Sequence, residues 1–147
     1  MIDGMRAIQV PQTGGPEVLT AIDLPVPTPG PGEVVIKADA VGVNFIDTYF
    51  RSGSYPRPVP FVVGSEVAGT VAAVGSDVAA LAVGNRVVTA NADGAYAEYC
   101  TAPADFVAYL PDNVAADVAA SALLKGMTAH YLLKSVYSPQ PTDTIVV

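Results

Sequence analysis

The chain has 147 residues, the length of one ordinary domain or slightly more. Its 13 Gly and 13 Pro punctuate a composition that is 51% hydrophobic and only 14% charged, which excludes a disordered chain and argues for short strands and turns over a helical bundle. A net charge of −7, with the seven basic residues scattered along the chain, excludes electrostatic binding of nucleic acid, and no apolar run approaches the roughly 20 residues of a membrane span.

Residues 1–4 read as a short extension ahead of Met5, and residues 1–9 carry no long apolar signal-peptide core. Residues 6–10 and 19–24 form two strands around the turn Thr13-Gly14-Gly15-Pro16. The prolines at 25, 27, 29 and 31, with Gly30 and Gly32, make a stiff connector poor in backbone donors. Residues 33–43 are the clearest strand, because Val34, Ile36, Ala38 and Ala40 line one apolar face. Residues 44–52 turn helical, with Asn44 as N-cap, Asp47 and Arg51 spaced for an ion pair, and Gly53 as the stop. Further strands are expected at 66–74, 86–90, 95–101 and 106–110, with glycines 64, 69, 75 and 84 serving bulges and turns. Six or seven short strands at this spacing predict a barrel or sandwich. Residues 115–136 form an Ala/Leu-rich helix, 138–143 a linker, and 144–147 a β-branched apolar run that predicts a strand.

Much familiar chemistry is missing. The single His130 lies in the predicted helix and the single Cys100 in a strand, so there is no His-x-x-x-His, no Cys-x-x-Cys and no Ser/His/Asp set. One cysteine allows no internal disulfide, which suits a reducing cytoplasm. Gly30-Pro31-Gly32 precedes a strand, so it is not a phosphate-cradling loop. Two segments stand out. The first runs from Asn44 to Pro56 and sets an amide, two phenols and an ion pair on one short helix at a strand end. Read from the residues alone it serves equally as a cap, a surface pair and core-filling tyrosines. The second runs from Gly64 to Val78 and is followed by Gly84-Asn85-Arg86-Val87, with Glu66 read as a structural carboxylate paired with Arg86.

The second segment resembles the medium-chain dehydrogenase/reductase pattern G-H-E-x-x-G-x(5)-G-x-x-V, departing from it only where Ser65 replaces the histidine. That histidine binds catalytic zinc in alcohol dehydrogenases, and the cysteine ligand aligns with Asn44. The first segment, N-F-I-D-T-Y-x-R-S-G-x-Y, resembles the zinc-free NADPH:quinone oxidoreductase (zeta-crystallin-like) branch. Gly14-Gly15-Pro16-Glu17-Val18-Leu19, Gly94-Ala95-Tyr96-Ala97-Glu98-Tyr99 and Lys125-Gly126-Met127-Thr128-Ala129 look like the same branch.

The resemblance implies a mainly β, GroES-like, partly open barrel with short peripheral helices. It implies a catalytic domain over residues 1–124, and a junction helix, linker and first Rossmann strand over 125–147. Most of the nucleotide site would then lie beyond Val147, and the fragment alone would be inactive. The implied function is hydride transfer from NADPH to a quinone, without zinc, in a cytoplasmic homodimer that binds neither nucleic acid nor membrane. Tyr55, then Asn44, are the expected donors to the quinone oxygen. Asn44, Tyr49, Lys125 and Thr128 are expected along the nicotinamide end of the cofactor. Two alternatives stay open: a zinc-free enoyl or 2-alkenal reductase, and a non-catalytic barrel used for interaction.

Overall fold

A computed structural model of the chain describes residues 4–146, so residues 1–3 of the expected extension and Val147 of the expected last strand lie outside the described residues. Two antiparallel sheets carry the fold. In the first, β1 (Met5–Val10) is flanked by β2 (Thr20–Leu24) and by the two-residue β4 (Phe61–Val62). In the second the order is β7-β3-β5-β6-β8, built from β3 (Glu33–Gly42), β5 (Glu66–Val74), β6 (Arg86–Thr89), β7 (Tyr99–Pro103) and β8 (Ala108–Tyr109). The segment at 96–98 stitches the sheets together. Ile8 N–H donates to Tyr96 C=O at 2.8 Å, Glu98 N–H to Arg6 C=O at 3.1 Å, and Ala38 N–H to Glu98 C=O at 3.0 Å. The result is the expected mainly β, partly open barrel.

Alternation along the strands divides two cores. Val34, Ile36, Val67, Val71 and Val87 point into the barrel and are no more than 1% exposed. Burial of each such side chain stabilises the fold by roughly 1.5–3 kcal/mol. The intervening Ala68 and Val88 point outward and pack under α2 (Ala116–His130) with Leu110, Ala119 and Ala120. Small residues on that face let the helix sit close. At Gly69 a Cβ would strike the Lys37 carbonyl, beside a register shift between Ala38 and Ala40, so this glycine serves a bulge as expected. Gly64 and Gly84 take positive φ, at 99° and 92°.

Differences from expectation have local causes. The predicted strand at 95–101 starts only at Tyr99, because 96–98 divides its hydrogen bonds between the two sheets. β4 is absent from the expected strands because the three-residue run between Pro60 and Gly64 is too short to show a periodicity. The predicted helix at 115–136 is α-helical only to His130 and then widens into a π-helical stretch, Tyr131–Val136. Residues 144–146 form no strand, since an apolar β-branched run needs a neighbouring strand to pair with and none of the described strands runs beside it.

A candidate cofactor and substrate cleft

The short helix α1 (Phe45–Ser52) leaves the end of β3 with Asn44 at its N-cap and Gly53, at φ 83°, as its C-cap. Asp47 reaches back to accept the Asn44 N–H at 2.9 Å, and the same oxygen accepts the Tyr96 hydroxyl at 2.9 Å. Burial, reinforced by the hydrogen bond to the Asp47 carboxylate and by its charge, raises the Tyr96 phenol far above its ordinary value, so it stays a protonated donor. The expected Asp47–Arg51 ion pair is therefore corrected. Asp47 is turned inward onto two fixed donors, and Arg51 donates instead through Nε to the Gly14 carbonyl at 3.3 Å. The Gly14 N–H answers to the Arg51 carbonyl at 3.0 Å, tying the loop before β2 to the end of α1.

Glu66 stands at the head of β5, opposite Gly42, and is fully buried. Its Oε2 accepts Asn44 Nδ2 at 2.7 Å and Lys125 Nζ at 3.0 Å, while its Oε1 accepts the Leu124 N–H at 2.8 Å. Lys125 Nζ also reaches the Val43 carbonyl at 3.3 Å. The expected Glu66–Arg86 pair is thus a second correction. Register places Arg86 opposite Thr70, four residues and about 13 Å along the strand from Glu66. Arg86 instead donates to the Pro111 and Val114 carbonyls at 2.9 and 2.7 Å. Gly42 makes the junction possible, since a Cβ there would collide with both the Glu66 carboxylate and the Ala120 carbonyl.

Between α1 and α2 lies a cleft of about 590 Å³. Asn44, Phe45 and Ile46 line one wall, and Lys125, Thr128 and Leu132 the other. Three of the five sequence-predicted site residues, Asn44, Lys125 and Thr128, meet here. Thr128 gives its hydroxyl hydrogen to the Leu124 carbonyl at 2.8 Å, which leaves its oxygen lone pairs as acceptors. Tyr49 and Tyr55 do not line this cleft. They form an aromatic row on the outer side of α1, with ring centroids 5.2 Å apart, and Phe45 joins the row to the cleft by stacking edge-on to Tyr49 at 5.6 Å. Both tyrosines are partly exposed rather than core-filling.

Apolar walls with an amide, an ammonium and a hydroxyl at the rim suit a flat, neutral, polar-edged ring. Among the described residues no three His, Cys, Asp or Glu side chains are grouped as metal ligands. Cys100 is buried inside the barrel, where desolvation and the nearby Asp93 charge push its thiol up to about 12, and it is inert at neutral pH. His130 closes α2 beside an apolar groove away from the cleft. The residue that sequence reasoning undervalued is Glu66. Its one legible signal was a carboxylate opening an otherwise apolar strand.

A family profile described as the alcohol dehydrogenase GroES-like domain matches residues 30–112. A quinone oxidoreductase of Pseudomonas aeruginosa is 45% identical over 143 residues, 96% of this chain and 44% of that protein. A mycobacterial protein solved in complex with NADPH is 64% identical with a TM-score of 0.92, over 95% of this chain and 44% of the other. The Escherichia coli quinone oxidoreductase complexed with NADPH is 42% identical with a TM-score of 0.91, over 94% of this chain and 43% of the other. The chain spans less than half the length of these relatives.

Proposed function

The chain belongs to the family of alcohol dehydrogenase GroES-like domains, and from that premise we propose that it is the substrate-side part of a zinc-free, NADPH-dependent quinone oxidoreductase. One observation carries the reading: Asn44, Lys125 and Thr128, remote in sequence, converge on a single apolar-walled cleft beside a pair of phenols. Similarity to quinone oxidoreductases, two of whose relatives are solved with NADPH, supports the same choice.

We read residues 1–124 as the catalytic domain and 125–147 as the junction to a nucleotide-binding domain. Helix α2 crosses that boundary, so Lys125 and Thr128 reach the cleft from the junction side.

When bound, NADPH supplies the hydride, and the protein's part is to orient, polarise and keep out water. Asn44, Lys125 and Thr128 would hold the polar edge of the nicotinamide half through one amide, one ammonium and one hydroxyl oxygen. Ile46, Ala129 and Leu132 provide walls that exclude water from the ring face. Tyr55 donates its hydroxyl to the acceptor oxygen, and Tyr49 props the Tyr55 ring. The reduced oxygen takes its final proton from solvent. A quinone is already a strong electrophile, so hydrogen-bond donors suffice where an unactivated carbonyl needs a Lewis acid. Asn44 and Ser65 at the two zinc-ligand positions are consistent with that economy. We further place the full-length protein in the cytoplasm, as a homodimer.

The test is NADPH oxidation by the full-length protein against a panel of quinones and enones. Quinone turnover without added metal is expected, and turnover confined to enones would transfer the reading to a double-bond reductase. Tyr55→Phe deletes one hydroxyl, and its turnover should fall about 10–100-fold, the scale of one donor to a developing oxyanion. Unchanged turnover across several quinones would leave the Tyr55 hydroxyl with no part in the reaction.

A further inference from the structure

We propose that Glu66 is a positioning residue of the cleft, holding Lys125 and Asn44 as one rigid, charge-neutral donor pair; the ligand side of this inference rests on the proposed function above. The carboxylate is fully buried, and each of its oxygens is used. One takes the Leu124 N–H of α2, and the other takes Asn44 Nδ2 and Lys125 Nζ together. A buried ion pair is a weak device for stability, because desolvation of the charges offsets most of their attraction. Satisfying a structural carboxylate would need only backbone donors and would not require a lysine whose side chain is half exposed.

The donor count shows what the arrangement does. Of three Lys125 ammonium hydrogens, one goes to Glu66 and one to the Val43 carbonyl, which leaves one for a ligand. Of two Asn44 amide hydrogens, one goes to Glu66 and one is left. Both free hydrogens belong to groups anchored on the same oxygen, although one comes from the start of α1 and the other from α2. Because Glu66 cancels the Lys125 charge, the cleft offers aimed donors without a net positive field. That selects a neutral acceptor, such as a carboxamide or hydroxyl, over a phosphate.

The experiment has a cofactor-free arm and a binding arm, both on the full-length protein. In the first, amine acylation is followed residue by residue by mass spectrometry. Lys125 should label several-fold more slowly than the exposed Lys37 and Lys134, and Glu66→Gln should erase that difference. Lys125 labelling as fast as Lys37 and Lys134 in the unaltered protein overturns the proposal, and needs no variant to fold. In the second arm, Glu66→Gln should weaken NADPH binding about tenfold, the scale of one lost charge-assisted hydrogen bond. Glu66→Gln combined with Lys125→Met should be no worse than the weaker single variant. Folded Glu66→Gln protein with unaltered NADPH affinity, or strict additivity in the double variant, also overturns it. Glu66→Asp replaces Glu66→Gln if the latter fails to fold, since it keeps the charge but withdraws the oxygens from Lys125. Absence of NADPH binding in the unaltered protein sinks the proposed function instead, while the labelling contrast still decides the role of Glu66.

Discussion

The barrel and the C-terminal helical region are both rich in apolar residues, yet they bury them very differently. In the barrel Val34, Ile36, Val67 and Val71 are sealed, whereas on α2 and its π-helical extension Val118, Met127, Tyr131 and Leu132 are about half exposed. The strands alternate with their period of two, so one face turns into the barrel interior and the other packs under α2 or, at Val35, against Met5 and Tyr99. Helix α2 carries a polar stripe of Asp117, Ser121, Lys125 and Thr128 but is apolar over most of the rest of its circumference, and the described residues bury only the side carrying Ala119 and Ala120. The barrel therefore derives its order from packing. The cleft, at the meeting line of the two regions, derives its order from a few buried polar contacts.

The largest effect should come from the sealed side. Ile36→Ala removes a fully buried side chain at the centre of β3, and should cost about 2–5 kcal/mol in urea or thermal unfolding. A loss below 1 kcal/mol would mean the barrel interior can collapse around a cavity, and the contrast with α2 would weaken.

Next comes the seam. Gly42→Ala places a methyl between the Glu66 carboxylate and the Ala120 carbonyl, so α2 must shift away from β3. We expect a loss of about 1–3 kcal/mol, with the Asn44–Lys125 cleft opened. Unfolding measurements with Lys125 labelling as a local probe would show both, and full stability would show that α2 is not tightly seated.

A smaller, graded effect concerns pH. The Cys100 thiol, ordinarily near 9.0, is raised to about 12 by burial and by Asp93. Below pH 9 the thiol is neutral in both states and its contribution is fully present. Between pH 9 and about 12 only the unfolded chain loses the proton, so stability falls as pH rises, by up to about 1.4 kcal/mol per pH unit. Urea midpoints at pH 8 and pH 10.5, with Cys100→Ala as control, measure it; the control should be flatter over that interval. Equal slopes would show that the thiol is not sealed in the barrel.

The smallest effect belongs to the exposed side. Leu132→Ala on the π-helical stretch should change stability of this chain by no more than about 0.5 kcal/mol, since its side chain is half exposed. A loss near that of Ile36→Ala would show the two regions to be packed alike.

Local features were readable in the linear chain because they are set by nearest neighbours. The apolar face of β3, the strand at β5, Asn44 as the cap of α1 and Gly53 as its stop all depend on residues close to each other along the chain. The motifs around Asn44, Gly64 and Lys125 likewise pointed to the right family, and brought Asn44, Lys125 and Thr128 forward as candidates.

The partners of the two buried carboxylates could not be read that way. Spacing along α1 suggested Arg51 for Asp47, but the barrel carries Tyr96 to it across 49 residues. The same stretch of sequence offers Arg86 to Glu66, but strand register moves Arg86 away, and the docking of α2 brings Lys125 in from 59 residues downstream. Helix and strand periods dictate which way a side chain points within its own element. Which opposite charge it meets is decided by how separate elements are packed, and here by a glycine at position 42 that lets them approach.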